Sequence, residues 1–569
     1  MNILFFIPHF KFWNQTLVLN SLIKHLGENN KVFVLACNQD MEEHCMVFNA
    51  AGLSILDQKK NKRKICGSCI SYKNIFQSKN KDIIFNDLAD YLDNEDFQDI
   101  EIKIKTISRS NYKNFIIDNI NIGEIATHDV ILIQKLNSIL SLEKYFWTEY
   151  LSVVRSCLIV LYSIRKYLKS KNIDRVITFN NLYSSNRVVA KYSESKKIFN
   201  YNVSTSFSIA NRSLQFIKIN SGITSGMNYS ALKFWNKNKN FQLDKYCEYL
   251  VLAHFDSIFK SEHYLNYSKP LSKINLKKYI NKKYKKTILV GLSGADEDVC
   301  LTESGLDITY SEEYKSIFKD QFDWLSKLIN FIKLDSENLY IIRPHPRDWP
   351  DSKRSFVISD NYIKFKSIFT DSLPENIIVN DPSENISVYD FMKICDVLLV
   401  SRSSIAVDFG MLGIPVITSD LSTHMHPVED SYKFRNEDEY FSLLKKIISF
   451  KKSYKTAEFY LRWFVCSNIF DCLDISSSLE KNENKNIKNI AKKLVSKILE
   501  ILKIFIHKKI EISSLKKNET IKNKINNHLI NKYDSIINSH KCENYDYEKN
   551  LFITKKIVSI IQKKYKINE

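Results

Sequence analysis

Two rhythms of apolar and polar residues alternate along the chain. Short unbroken apolar runs at 2–7, 31–36, 175–179, 287–291, 339–342, 396–400 and 414–417 have the length and content of strands buried on both faces. Between them, apolar residues return every three or four positions at 15–26, 149–168, 185–195, 320–332, 437–450 and 457–470, which predicts amphipathic helices. Strand followed by helix followed by strand is the pattern of parallel sheets with crossover helices, so the fold class is α/β, with two Rossmann-like units facing each other across a cleft. The expected division is a first unit over 1–265, a polar basic linker over 266–286 and a second unit over 287–435. Helices over 436–476 cross back towards the first unit, and 477–569 form a helical basic extension. The charged stretch 57–140 resists assignment to elements.

Composition changes this picture in two places. A chain of 569 residues that is 44% hydrophobic and 12% aromatic has enough apolar side chain for several cores. Residues 1–8 are apolar but lack a basic leader and a cleavage site, so they read as the first strand. No apolar run reaches the length of a membrane span. Eleven scattered cysteines do not form a secreted framework, which places the protein in the cytoplasm. Cys66 and Cys69 form a single CxxC without a second pair or nearby histidines, and no metal site is expected from them.

The formal charge of +19 is concentrated at one end. The last 89 residues hold 21 lysines against 9 acids, leaving only +7 for the rest. Within this tail, 487–506 has Ile487, Leu494, Ile498, Leu502 and Phe505 on one face and lysines on the others. Such a helix can lie on an anionic membrane at the inner face of the cell or pack on a neighbouring helix. Basic and aromatic residues do not interleave on a recognisable module, so nucleic acid is not an expected partner.

Candidate chemistry gathers after the predicted strand ends. Arg343, His345 and Arg347, separated by prolines, project from one side if the backbone stays extended. Ser403 and Ser404 stand where a helix should begin, with hydroxyls suited to capping and free amides suited to an anion. Asp408, one turn on, could accept hydrogen bonds from sugar or ribose hydroxyls. The loop from Leu292 to Asp298 adds a glycine for close approach of a ligand and two acids, Asp296 and Asp298, as candidate bases. In the first unit, His9 and Asn180 lie just beyond strands at the facing edge. Each motif alone is ordinary turn or cap chemistry. In order, and at equivalent strand ends, they predict a phosphate-binding cleft.

Several segments carry a resemblance: Ile177 to Asn181, Phe234-Trp235, Leu292 to Asp298, Asp320-Gln321, Arg343 to Pro346, and Ser403 to Asp408 followed by Gly413-Ile414-Pro415. Together they resemble the bacterial capsule and lipopolysaccharide glycosyltransferases of the GT-B fold, over roughly residues 175–420. Members using CMP-activated sugars, including Kdo and sialic acid transferases, share the His-Pro and Ser-Ser elements. The resemblance implies that His345, Ser403 and Ser404 bind donor phosphates. It also implies that a nucleotide-sugar is the donor substrate rather than a cofactor, and that a surface polysaccharide or lipid-linked glycan is the acceptor. The chain departs from related sequences in having Asn180-Asn181-Leu182 where Asn-Gly-Arg is common, and Asp408 where Glu is. A metal-independent transfer with inversion is the expected reaction. A sugar-nucleotide epimerase using the same phosphate site is the nearest alternative; a nucleic-acid-binding protein and an inactive scaffold are the others.

Overall fold

The computed structural model describes residues 1–54, 57–205, 216–221, 228–261, 269–271, 276–306, 316–350, 357–370, 373–384, 386–420, 426–474, 519–532, 535, 537 and 545–567. Its strands are β1 (Asn2–Ile7), β2 (Lys31–Ala36), β3 (Ile84–Asp87), a short ribbon of β4 (Ile116–Ile117) and β5 (Ile120–Asn121), β6 (Arg175–Phe179), β7 (Phe199–Thr205), β8 (Phe216–Ser221), β9 (Lys286–Gly291), β10 (Asn338–Arg343), β11 (Ile377–Val379), β12 (Val397–Val400), β13 (Val416–Thr418) and β14 (Leu473–Asp474).

They build two large sheets. The first has the order β14-β8-β7-β6-β1-β2-β3, parallel from β7 to β3 and closed by antiparallel β8 and β14. The second is parallel throughout, in the order β11-β10-β9-β12-β13. In each sheet the earliest strand is central and the order reverses beside it, between β1 and β6 in one and between β9 and β12 in the other. Those reversals open the crevices where open α/β sheets place ligands. The apolar runs explain the strands: all six residues of β10 are buried, as are five of six in β1 and β2.

Stretch 57–140 does fold, into helices Lys59–Ser78, Asn94–Lys105 and Ile122–Gln134 around β3. The last of these lies under the long helix Trp147–Ser170 in the first unit's core. Helices Tyr229–Asn238 and Lys245–Phe259, placed by sequence with the first unit, bury Trp235, Phe255 and Phe259 in one cluster with Leu398, Val400 and Phe409 of the second. The crossing-back helix Tyr454–Val465 joins the same cluster, with Trp463 edge-on to Trp235 at 5.7 Å. A Cβ on Gly410 would stand 2.1 Å from Tyr460, so only glycine lets this helix close on Ile405–Gly410. The chain then enters the first sheet as β14.

The tail is structural where it is described. Ile525 and Leu529 complete the core beneath the first sheet, and Ile557 and Ile561 that of the second unit. Buried Lys218 and Asp471 pair at 3.2 Å, and Ser535 donates to Asp471 at 2.5 Å, tying the extension to β8. The expected membrane helix 487–506 lies outside the described residues. Among the described residues no helix is long and apolar enough to cross a membrane.

Candidate active site

The carboxyl edge of the second sheet gathers the strongest chemistry. Ser293 and Gln321 exchange two hydrogen bonds, of 2.6 and 2.9 Å, and fix the chain as it leaves β9. The segment through Asp298 was expected to be a loop. Instead a helix, Ala295–Glu303, begins inside it, with Asp296, Glu297 and Asp298 in its first turn. Three acids at a helix N-terminus face the favourable end of its dipole, which explains the difference.

The three acids have different surroundings. Asp296 is fully buried and accepts from Arg347 Nη2 and Nε at 2.7 and 3.0 Å, while Nη2 also donates to the carbonyl of Leu132 in the first unit. Asp298 meets Arg402 Nη1 at 3.0 Å, and Arg402 bonds Asp420 at 2.6 and 2.9 Å. Burial still raises the Asp298 carboxyl. Glu297 is the reachable one. Its side chain is 53% accessible and 3.7 Å from Arg347. Desolvation by the surrounding protein raises its carboxyl to about 7; Arg347 opposes the rise and the two flanking aspartates add to it. A Cβ on Gly294 would lie 3.1 Å from Asp296 Oδ1, 3.4 Å from Arg347 Cδ and 3.7 Å from His345 Nδ1, so the turn needs glycine to bring these groups together.

Several expectations are corrected. The extended run ends at His345, because Pro346–Asp348 turns into a short 3₁₀ helix whose Arg347 amide donates to His345 Nδ1 at 3.2 Å. Arg343 therefore does not share a face with Arg347. It is buried on Asn380 and on the carbonyls of Asp381 and Ile386. His345 is half-buried and neutral: burial, then Arg347, Arg343 and Lys135, push its imidazole down to about 3. Ser403 is half-buried and Ser404 exposed beside it, but Ser404 makes no side-chain cap for the six-residue helix Ile405–Gly410. Asp408 faces inward. His254 Nε2 and Tyr389 Oη donate to it at 2.8 and 2.9 Å, because residues 406–410 form the buried side of that helix. It offers nothing to a sugar hydroxyl in this arrangement.

At the crevice of the first sheet the candidate residues are engaged by their own protein neighbours. His9 follows β1, buried against Phe12 and Tyr183, and burial lowers its imidazole to about 4, opposed by Asp129 and reinforced by His44. Asn180 turns the chain after β6 in the left-handed region, φ 59°, and its side chain accepts from the Leu182 amide at 3.3 Å. Between them lies Asp129, which the sequence reading did not name. It takes hydrogen bonds from His128 at 2.9 Å, His44 at 3.4 Å and the Ser184 amide at 3.1 Å. Burial alone would raise its carboxyl, but these partners hold it well below the usual range. Buried Arg187 donates to Ser304 Oγ at 2.7 Å, and Lys113 pairs with Glu303 at 2.7 Å, docking the end of the Ala295–Glu303 helix on the first unit.

No protein-family model and no curated protein matches the chain. Solved structures match in outline. The UDP-GlcNAc 2-epimerase of Neisseria meningitidis bound to UDP-GlcNAc is 12% identical; the match covers 88% of this chain and 100% of that one at a TM-score of 0.28. That of Methanocaldococcus jannaschii in complex with UDP-GlcNAc and UDP is 10% identical, with 80% and 94% covered and a TM-score of 0.27. The calicheamicin glycosyltransferase CalG4 is 8% identical, with 82% and 94% covered and a TM-score of 0.25. At such values, the functional reading rests on the residues of the cleft.

Proposed function

We propose that the chain is a glycosyltransferase moving a sugar from a nucleotide-sugar to a hydroxyl of a surface polysaccharide or lipid-linked glycan, with Glu297 as the general base. The observation that carries this is the Glu297 carboxyl, reachable from the cleft, raised to about 7 and flanked by two acids already held by Arg347 and Arg402. A base tuned near neutral pH is what acceptor activation needs.

In the proposed step Glu297 takes the acceptor's hydroxyl proton as that oxygen attacks the anomeric carbon. The bond from this carbon to the donor phosphate breaks, and its electron pair leaves with the nucleotide. Attack opposite the leaving group inverts the centre. Neutral His345 and the hydroxyls of Ser403 and Ser404 flank β9 on the two sides where the phosphates would lie. Arg347 and Asp296 act indirectly, holding the turn that carries Glu297.

The test is thermal shift against CMP, UDP, GDP and CDP, then turnover with the activated sugar of the nucleotide that binds. One nucleotide should stabilise the protein in proportion to its occupancy. Turnover should rise with pH through about 7, as Glu297 loses its proton. Stabilisation by none of the four would overturn the reading. Conversion of the sugar-nucleotide to an isomer without acceptor would identify an epimerase instead.

A further inference from the structure

Four of the eleven cysteines meet at one small cavity in the first unit. Cys66 and Cys69 come from the middle of helix Lys59–Ser78, Cys37 follows β2, and Cys45 precedes helix Met46–Ala50. All four are half-buried, and the other side chains lining the cavity are apolar apart from Gln39. Among the described residues no group of three or more His, Cys, Asp or Glu side chains could hold a metal ion, so the chemistry of this cluster is that of thiols.

Two of the four are spaced to bond. On an α-helix, Cα atoms three residues apart stand about 5 Å from each other, inside the span that a disulfide bridges. Their Cβ atoms are about 5–6 Å apart and a disulfide draws them to about 4 Å, so the helix has to flex between Cys66 and Cys69. The residue there is Gly67, where an added Cβ would meet no atom within 4 Å. No close contact calls for this glycine; it weakens the helix where the bond needs give. Lys11, in the turn after β1, faces both sulfurs: burial lowers its ammonium, and Cys69 and Cys66 oppose that. Burial raises the Cys69 thiol, and the backbone amides of Lys11 and Phe10 that donate to it oppose the rise.

We propose that Cys66 and Cys69 are a redox-active dithiol, which a low-molecular-weight disulfide oxidises to an intramolecular bond. Cys69 is the attacking sulfur, because two amides and the Lys11 ammonium support its thiolate. It attacks one sulfur of the small disulfide, forming a mixed disulfide and releasing one small thiolate. Cys66 gives up its proton, attacks Cys69 Sγ and expels the second. The protein loses two electrons and two protons, and the small disulfide leaves as two thiols. Once bonded, Cys69 is a poorer acceptor for the amides of Phe10 and Lys11, so the redox state reaches the turn that follows His9. The inference stands whether or not the chain transfers a sugar.

The experiment treats the reduced full chain with oxidised glutathione, maps its disulfides by mass spectrometry and follows hydrogen exchange in the peptide carrying Phe10 and Lys11. Two of the eleven thiols should disappear into a Cys66–Cys69 link that dithiothreitol reverses, and exchange in that peptide should quicken. Lys11, Lys73 and the thiols of Cys66, Cys37 and Cys45 face Cys69, whose thiol stays above its ordinary 9.0, so oxidation should still be gaining speed at pH 9. Cys66→Ser should stop with glutathione on Cys69, and Cys69→Ser should leave Cys66 free. Gly67→Ala, with room for its methyl group, should close the bond about fivefold more slowly. Retention of all eleven thiols by the natural chain would overturn the proposal. So would a link through Cys37 or Cys45, or unchanged exchange at Phe10 and Lys11 once the bond has formed.

Discussion

The two crevices are built on the same strand order and used in opposite ways. In the first, β1 and β6 present His9 and Asn180, and the space between is closed by Asp129 with His128 and His44. His9, His128 and Asp129 are buried there, His44 is partly buried on Asp129, and Asn180 is turned onto its own backbone. In the second, β9 and β12 present Glu297, Ser403 and Ser404, all reachable by solvent. Their charged neighbours are fixed in pairs, Asp296 with Arg347 and Asp298 with Arg402. Topology supplies a crevice in each unit, but chemistry needs one in which a tuned group is left without a tight partner. On the proposed function, the first crevice is a support against which the second unit's helix is docked, and the second is the reaction site.

The largest effect expected from this contrast is on Glu297. Glu297→Gln should lower turnover by about 10²–10⁴, the usual contribution of a positioned base. Nucleotide binding should be unchanged, because the carboxyl serves the acceptor. Stability moves the other way. A carboxyl raised to about 7 in the fold but titrating lower in the unfolded chain disfavours folding increasingly as pH rises between those values. The variant should therefore melt no lower than the natural chain at pH 8. Turnover retained in Glu297→Gln would erase the distinction between the two crevices.

How far the sequence showed this contrast depends on the scale of the feature. Strands at 2–7, 31–36 and 175–179 match their predicted bounds, because a buried parallel strand must be apolar nearly throughout. His9, Asn180, His345 and Ser403 were legible as residues following strands, since that position follows from strand order. Their roles were not. Asp408 and Arg343 looked like ligands by spacing, and only packing turns Asp408 onto His254 and Arg343 onto Asn380. Glu297 stood between two named acids, and which of the three is left reachable depends on Arg347 and Arg402, which come from distant segments. Asp129 lies in the helix Ile122–Gln134, which is apolar on most sides and so shows no clear amphipathic period. The one signal for it was the adjacent His128-Asp129 pair within an otherwise apolar run, a pattern that marks buried polar contacts as often as function.

A smaller effect, on stability rather than rate, tests the supporting role of Asp129. Asp129→Ala leaves His128, His44 and the Ser184 amide facing a void where an acceptor stood. Losing one partner of a buried hydrogen-bonded set costs about 2–4 kcal/mol. Urea unfolding at pH 7 should show that loss as a lower midpoint with an unchanged slope. Turnover per folded molecule should stay within a few fold of the natural chain. A fall comparable to that of Glu297→Gln, at unchanged stability, would make the first crevice a partner in the chemistry.

The smallest effect separates the same two possibilities by pH. His9 is neutral in the fold, with its imidazole lowered from 6.5 to about 4. Between those values the unfolded chain takes up a proton that the folded chain does not, so this residue's contribution to stability is full above about pH 6.5 and is lost as pH falls towards 4. At pH 5.5 the loss comes to about 1 kcal/mol. His9→Gln should remove that share of the decline, so that its unfolding free energy falls less between pH 7 and pH 5.5 than that of the natural chain. His345 is lowered further, to about 3, and His345→Gln should flatten the same window in the second unit. The readout that distinguishes the crevices is nucleotide: a bound nucleotide should alter the pH dependence assigned to His345 and leave that of His9 as it was. If nucleotide instead changes the His9 share, ligand reaches the β1 crevice, and the division between a supporting crevice and a reacting one fails.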